Sequence, residues 1–117
     1  MAYTEYRACI AACDACAGAC DYCASACIAE EESRVLARCI RLDLDCATLC
    51  RTASALLARD SDFALEACRL CVTACEACAA ECARHDMDHC RVCAEACRNC
   101  AEECQRTIGQ APEAMSG

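Results

Sequence analysis

Cysteines recur along this chain at alternating intervals of three and four residues. One run is Cys9, Cys13, Cys16, Cys20, Cys23 and Cys27; a second is Cys68, Cys71, Cys75, Cys78 and Cys82; a third is Cys90, Cys93, Cys97, Cys100 and Cys104. An α-helix turns once in 3.6 residues, so this spacing lays each run along one stripe of a helix, where Leu or Ile ordinarily packs. A strand cannot use it, because its faces alternate every second residue. A chain with three such stripes is constrained to fold as helices that bury their sulfur-bearing faces against one another.

The rest of the composition agrees with helices. Only three glycines and one proline, Pro112, interrupt 117 residues. That length bounds a single domain with one modest core. The apolar fraction is 58%, yet aromatic residues make up only 3%, so small side chains must do much of the filling. The pattern predicts helices over about 4–29, 34–59, 63–84 and 89–108, with residues 109–117 as a flexible tail. Glu30, Glu31 and Glu32 read as a solvated first turn, with Ser33 as the N-cap of the second helix. Asp60, Ser61 and Asp62 form the second turn, and residues 85–88 the third. Gly109 reads as the residue that stops the last helix. Short turns between long helices force antiparallel neighbours, so the expected fold is all-α: an up-down-up-down four-helix bundle over residues 1–108.

The second helix departs from the pattern. Its seam holds Cys39, Cys46 and Cys50, but position 43 is Asp. At about 100° per residue, Asp43 lies roughly 200° from Arg41 on the polar face, so it is expected to point inward. Val35, Leu42, Leu49 and Leu56 run along one flank of this seam and Leu36, Ile40 and Leu44 along the other. These residues are expected to supply most of the aliphatic packing and part of a subunit interface. The two ends of the bundle also differ. His85, Met87 and His89 are expected to gather above Cys27, Cys39, Cys82 and Cys90 at a wet, ligand-rich end. Tyr6, Leu56, Leu57, Phe63, Leu65 and Ile108 are expected to plug the other.

Several function classes are disfavoured. The net charge is −8 and no Lys/Arg cluster stands out, which argues against a nucleic-acid partner. No basic segment precedes an apolar one at the N-terminus, and no apolar stretch reaches transmembrane length. The expected location is therefore the cytoplasm, without a membrane partner, where thiols stay reduced. A disulfide scaffold would pair cysteines between loop-rich elements rather than repeat them along helical faces. No nucleophile–base–orienter set and no phosphate-binding loop is visible, so no enzyme is expected.

Soft-metal chemistry remains. Cysteines at i,i+3 and i,i+4 have Cβ atoms about 5–6 Å apart. Two metal–sulfur bonds of about 2.3 Å span roughly 4.5 Å, so neighbours on one helix can clasp an ion without bending the backbone. Cu(I) favours thiolate sulfur. A bridging thiolate serves two metals, giving about one Cu(I) per Cys and a neutral core. Zn(II) wants four ligands, so nineteen cysteines would hold only about four or five ions, each tetrad a dianion. A zinc or general soft-metal sequestration protein is the alternative, and an iron–sulfur carrier a weaker one, because cluster ligands usually sit on irregular loops. His85 lies three residues after Cys82, His89 four before Cys93, and Met87 three before Cys90. All three are candidate ligands for capturing incoming metal. Asp43 is a hard, poor ligand for Cu(I) and is expected to hydrogen-bond a histidine or thiol near the entrance.

Cysteine-lined helices with Cys-x-x-Cys and Cys-x-x-x-Cys repeats, and two histidines beside the last turn, resemble the cytosolic copper storage proteins over residues 4–108. The resemblance implies many Cu(I) ions bound inside the bundle and a homotetramer of such bundles. All nineteen cysteines are then candidate ligands, with His85 and His89 at the entrance and Asp43 where that family can place an acidic group near the mouth. The partners it leads one to expect are copper ions and a copper chaperone or a cuproenzyme acceptor.

Overall fold

A computed structural model of the chain describes residues 2–110. The expected tail therefore falls, from residue 111 onward, outside the described residues. The elements are α1 (Ala2–Glu5), α2 (Arg7–Ala29), a 3-10 turn (Ser33–Leu36), α3 (Ala37–Ala58), α4 (Ala64–Cys82) and α5 (Asp88–Gly109). Among the described residues there is no strand. Each long helix packs against two neighbours, in the ring α2–α3–α4–α5. The bundle is 50 × 19 × 18 Å, a cross-section that fits a two-by-two array of helices each about 10 Å wide.

The core is cysteine and alanine. All nineteen cysteines are buried and unpaired, and Ala12, Ala17, Ala47, Ala53, Ala94 and Ala101 fill the shoulders between the seams. Small side chains let the helices approach closely, which brings sulfur atoms on four helices within contact of one another. Aliphatic residues contribute less than the sequence leads one to expect. Leu36, Leu57 and Leu65 are buried, whereas Val35 and Leu44 are exposed. Phe63 does not plug its end of the bundle; it is 70% exposed, because it caps the start of α4 on the outer side of the turn. Tyr6, Leu56 and Ile108 are half-buried there, against the core.

Two helix ends differ from expectation. Ser33 caps nothing: it opens the 3-10 turn, and the side chains of Glu32 and Leu36, the residues before each helix, make no cap hydrogen bond either. Gly109 does not stop α5 in a left-handed conformation but is its last residue, and the backbone N–H of Gln110 closes the helix onto Arg106 and Thr107. The left-handed position belongs to Asp60, with φ +52°. There the N–H of Ser61 reaches Leu56 O (2.9 Å) and that of Asp60 reaches Leu57 O (3.1 Å), the paired bonds of a Schellman stop. The Ser61 hydroxyl then accepts the N–H of Phe63 at 3.1 Å and starts the next helix.

Candidate metal centre

The seams converge on a continuous column of sulfur along the bundle axis. At the closed end Cys9 donates to Cys104 (3.7 Å), which lies 3.8 Å from Cys13; Cys68 neighbours both Cys9 and Cys104. Cys13 is 3.7 Å from Cys100, and Cys100 is 3.9 Å from both Cys71 and Cys50. In the middle Cys50 meets Cys71 at 3.6 Å, Cys46 meets Cys75 at 3.6 Å, and Cys16 meets Cys97 at 3.7 Å. Cys20 then contacts Cys97 and Cys93, each at 3.7 Å. Toward the other end Cys39 and Cys82 approach to 3.5 Å, and Cys78 lies 4.0 Å from Cys82. The column finishes at Cys23, Cys27 and Cys90, with separations of 3.8–3.9 Å.

Two bonds of about 2.3 Å from one metal to two sulfurs about 4 Å apart meet at an angle near 120°, so these separations suit two- and three-coordinate sites with little movement. The sulfurs also group in fours: Cys13, Cys71, Cys100 and Cys104; Cys16, Cys46, Cys50 and Cys75; Cys16, Cys20, Cys46 and Cys97; Cys20, Cys78, Cys93 and Cys97; Cys23, Cys27, Cys39 and Cys90. The groups overlap. Cys16, Cys20, Cys46 and Cys97 each belong to two of them. Isolated tetrahedral sites need separate ligand sets; overlapping sets are what bridging thiolates require.

Asp43 points into the column, as the helical arithmetic predicts, and is fully buried. Its Oδ1 accepts from Cys78 (3.1 Å), Cys93 (3.2 Å) and Cys82 (3.6 Å), and its Oδ2 from Cys39 (3.8 Å). Its partners are thiols and not a histidine. Burial, reinforced by the charge of Cys93, pushes its carboxyl up to about 8. Burial likewise raises the thiol of Cys27, and that of Cys90 to about 11. Burial thus favours the protonated, neutral forms of Asp43, Cys27 and Cys90 in the absence of metal, which lessens the cost of a bare buried anion at those three groups.

The structure separates the two histidines. His89 Nδ1 lies 3.6 Å from Cys90, 3.7 Å from Cys23 and 3.8 Å from Cys27. His85 makes no such approach: its Nε2 is 3.0 Å from Glu81 Oε2, and among the described residues no thiol lies within hydrogen-bonding distance of it. Glu81 is nearly buried, and Arg84 (3.2 Å) and Arg38 (3.8 Å) balance its charge. Met87 packs against the core rim and lines a surface groove with Glu30, Glu31, Glu32, Val35 and Leu36. The acidic turn is not simply solvated, since Glu30 Oε2 lies 3.0 Å from His89 Nε2. The sequence signals Glu81, at i,i+4 from His85, but not Glu30, which is 59 residues from its partner.

Comparison with known proteins matches this arrangement. The family model described as "Csp: Copper storage protein" matches residues 2–109. The uncharacterized cysteine-rich protein YhjQ of Bacillus subtilis (strain 168) is 48% identical over 82 residues, covering 70% of this chain and 76% of that protein. The structure of the Cu(I)-bound copper storage protein BsCsp3 superposes with a TM-score of 0.85 at 46% identity, covering 88% of this chain and 97% of that one. A cytosolic copper storage protein from Streptomyces lividans, carrying five coppers, gives 0.90 at 40% identity, covering 94% and 97%. The apo form of copper storage protein 3 from Bacillus subtilis gives 0.81 at 45% identity, covering 88% and 98%. The sulfur column, its overlapping ligand sets and these matches have one conclusion in common: the chain belongs to the copper storage protein family.

Proposed function

We propose that this protein is a high-capacity cytosolic store and buffer of Cu(I), and not an enzyme, holding about one ion per Cys. The observation that carries the reading is the overlap of the four-thiol groups, which suits shared, bridging sulfur and not separate tetrads. The nineteen cysteines are the ligands. His89 is the ligand at the mouth, Met87 and His85 assist capture at the rim, and Asp43 orders the thiols inside.

The chemistry at each site is an exchange. A thiol gives up its proton, which leaves for solvent, and the sulfur lone pair forms a bond to the incoming Cu(I). One positive charge replaces another, so a neutral core stays neutral as it fills. Zn(II) brings two positive charges, but its four thiolates give up four protons, leaving a tetrad with two buried negative charges. Donor and acceptor are a copper chaperone or a cuproenzyme that meets the His89 end. A homotetramer is the assembly implied by the resemblance, and Ile28, Val35 and Leu44, exposed on and beside α2 and α3, are available to its interfaces.

Anaerobic titration of the reduced apoprotein with Cu(I), against a chromophoric Cu(I) chelator, tests the proposal. Retention of about one Cu(I) per Cys is expected. Saturation at a few ions, or a preference for about four or five Zn(II), would replace storage of copper with sequestration of zinc.

A further inference from the structure

Both histidines at the mouth are held by a carboxylate, but with opposite results. Glu81 lies in the last turn of α4 and His85 three residues beyond the end of that helix, and the ring's Nε2 is engaged by that carboxylate, with no thiol within hydrogen-bonding distance among the described residues. Glu30 and His89 come from two neighbouring helices, at the end of α2 and the start of α5. Glu30 is the residue at which α2 ends, with extended backbone (φ −70°, ψ 148°). That geometry takes the chain off the helix and lets the side chain reach across to the first turn of α5. His89 is only 12% exposed, whereas Glu30 is 40% exposed, so the carboxylate closes the solvent side of a ring whose other edge faces three thiols.

We propose that Glu30 is a positioning residue for copper capture: its carboxylate fixes the orientation and tautomer of His89 so that Nδ1 faces Cys23, Cys27 and Cys90 with a free lone pair. A carboxylate oxygen only accepts hydrogen bonds, so the proton of the neutral ring sits on Nε2. The Nδ1 lone pair is then directed at the triangle of sulfurs 3.6–3.8 Å away. Three thiols and one imidazole are thus assembled before metal arrives. Outer carboxylates that orient a ligating imidazole typically contribute a factor of about 10–100 in metal affinity or activity. This inference rests on the copper-storage reading and adds a residue to it.

The test combines two readouts on the full chain. Long-range ¹⁵N–¹H correlation spectra of the labelled apoprotein report the tautomer of His89. Stopped-flow transfer of the first Cu(I) from a chromophoric chelator complex reports capture. Glu30→Ala is expected to mix the tautomers and slow the first transfer about tenfold, with helicity and total copper capacity unchanged. Glu30→Gln, whose amide carbonyl still accepts from Nε2, is expected to restore most of the rate. Glu31→Ala removes the same charge from the same turn and is expected to alter neither readout. Wild-type tautomer and rate in Glu30→Ala, with full copper loading, would overturn this inference alone. An equal slowing by Glu30→Ala in a His89→Ala background would also overturn it, since Glu30 would then act as a distant charge. Failure of the wild-type protein to retain Cu(I) would overturn the storage reading and this inference together.

Discussion

A carboxylic acid buried among thiols is the least ordinary residue in this core, and Asp43 makes its acidity a property of folding. Its native carboxyl is pushed up to about 8, against about 3.9 in an unfolded chain. The native state therefore keeps a proton that the unfolded state releases. The stability Asp43 contributes is complete below about pH 4 and declines as pH rises through 8. Urea unfolding of the reduced apoprotein is expected to show a higher midpoint at pH 5 than at pH 7.5, and Asp43→Asn is expected to flatten that slope. Equal slopes in the two proteins would contradict the assignment. The inward direction of Asp43 was legible in the sequence, because a helix fixes the angle between residues two apart. The rotation of His85 onto Glu81 and the reach of Glu30 to His89 were not. They depend on where the backbone leaves α2 and on which ring edge finds a charge first, and cysteine spacing carries neither.

Periodicity settled the existence and faces of the helices, but not their ends. Sixteen cysteines in register on α2, α4 and α5 leave one way to bury sulfur, and a burial term summed over that many residues outweighs local preference. A cap is worth only about 1 kcal/mol, so Ser33 yields to a 3-10 turn and Gly109 to one more helical residue. Asp60, by contrast, takes the left-handed position that Gly ordinarily fills. Asp60→Gly is expected to leave stability unchanged or raise it by up to about 1 kcal/mol, and Asp60→Val to lower it. Gly18 lies on the exposed side of α2, where an added Cβ meets nothing within 4 Å. Gly18→Ala is expected to stabilise the apoprotein by about 0.5–1 kcal/mol, read from the urea midpoint. No gain would mean that this face is covered in the assembled protein.

At the scale of the whole molecule the bundle is expected to fold without metal, because thiols and alanines pack as an ordinary small-residue core. Zinc fingers differ in that the metal supplies their folding energy. Circular dichroism is expected to change little between the apo and copper-loaded states. Filling exchanges one proton for one Cu(I), so a weakly buffered solution with a pH indicator is expected to report about one proton released per ion bound at neutral pH. A much lower yield would mean that many thiols are already ionised in the apoprotein. The bundle and its sulfur column were readable from the sequence because both follow from one repeat. The exposure of Phe63, Val35 and Leu44 was not, since the narrow cysteine–alanine core leaves no room for them and only packing shows that. The most direct test of the central claim is anomalous diffraction at the copper edge from crystals of the Cu(I)-saturated protein. Copper is expected in an unbroken series along the bundle axis, from the Cys9–Cys104 end to His89, each ion bound by two or three sulfurs and most sulfurs shared between ions. A few isolated ions, each enclosed by four sulfurs used by no other ion, would contradict it.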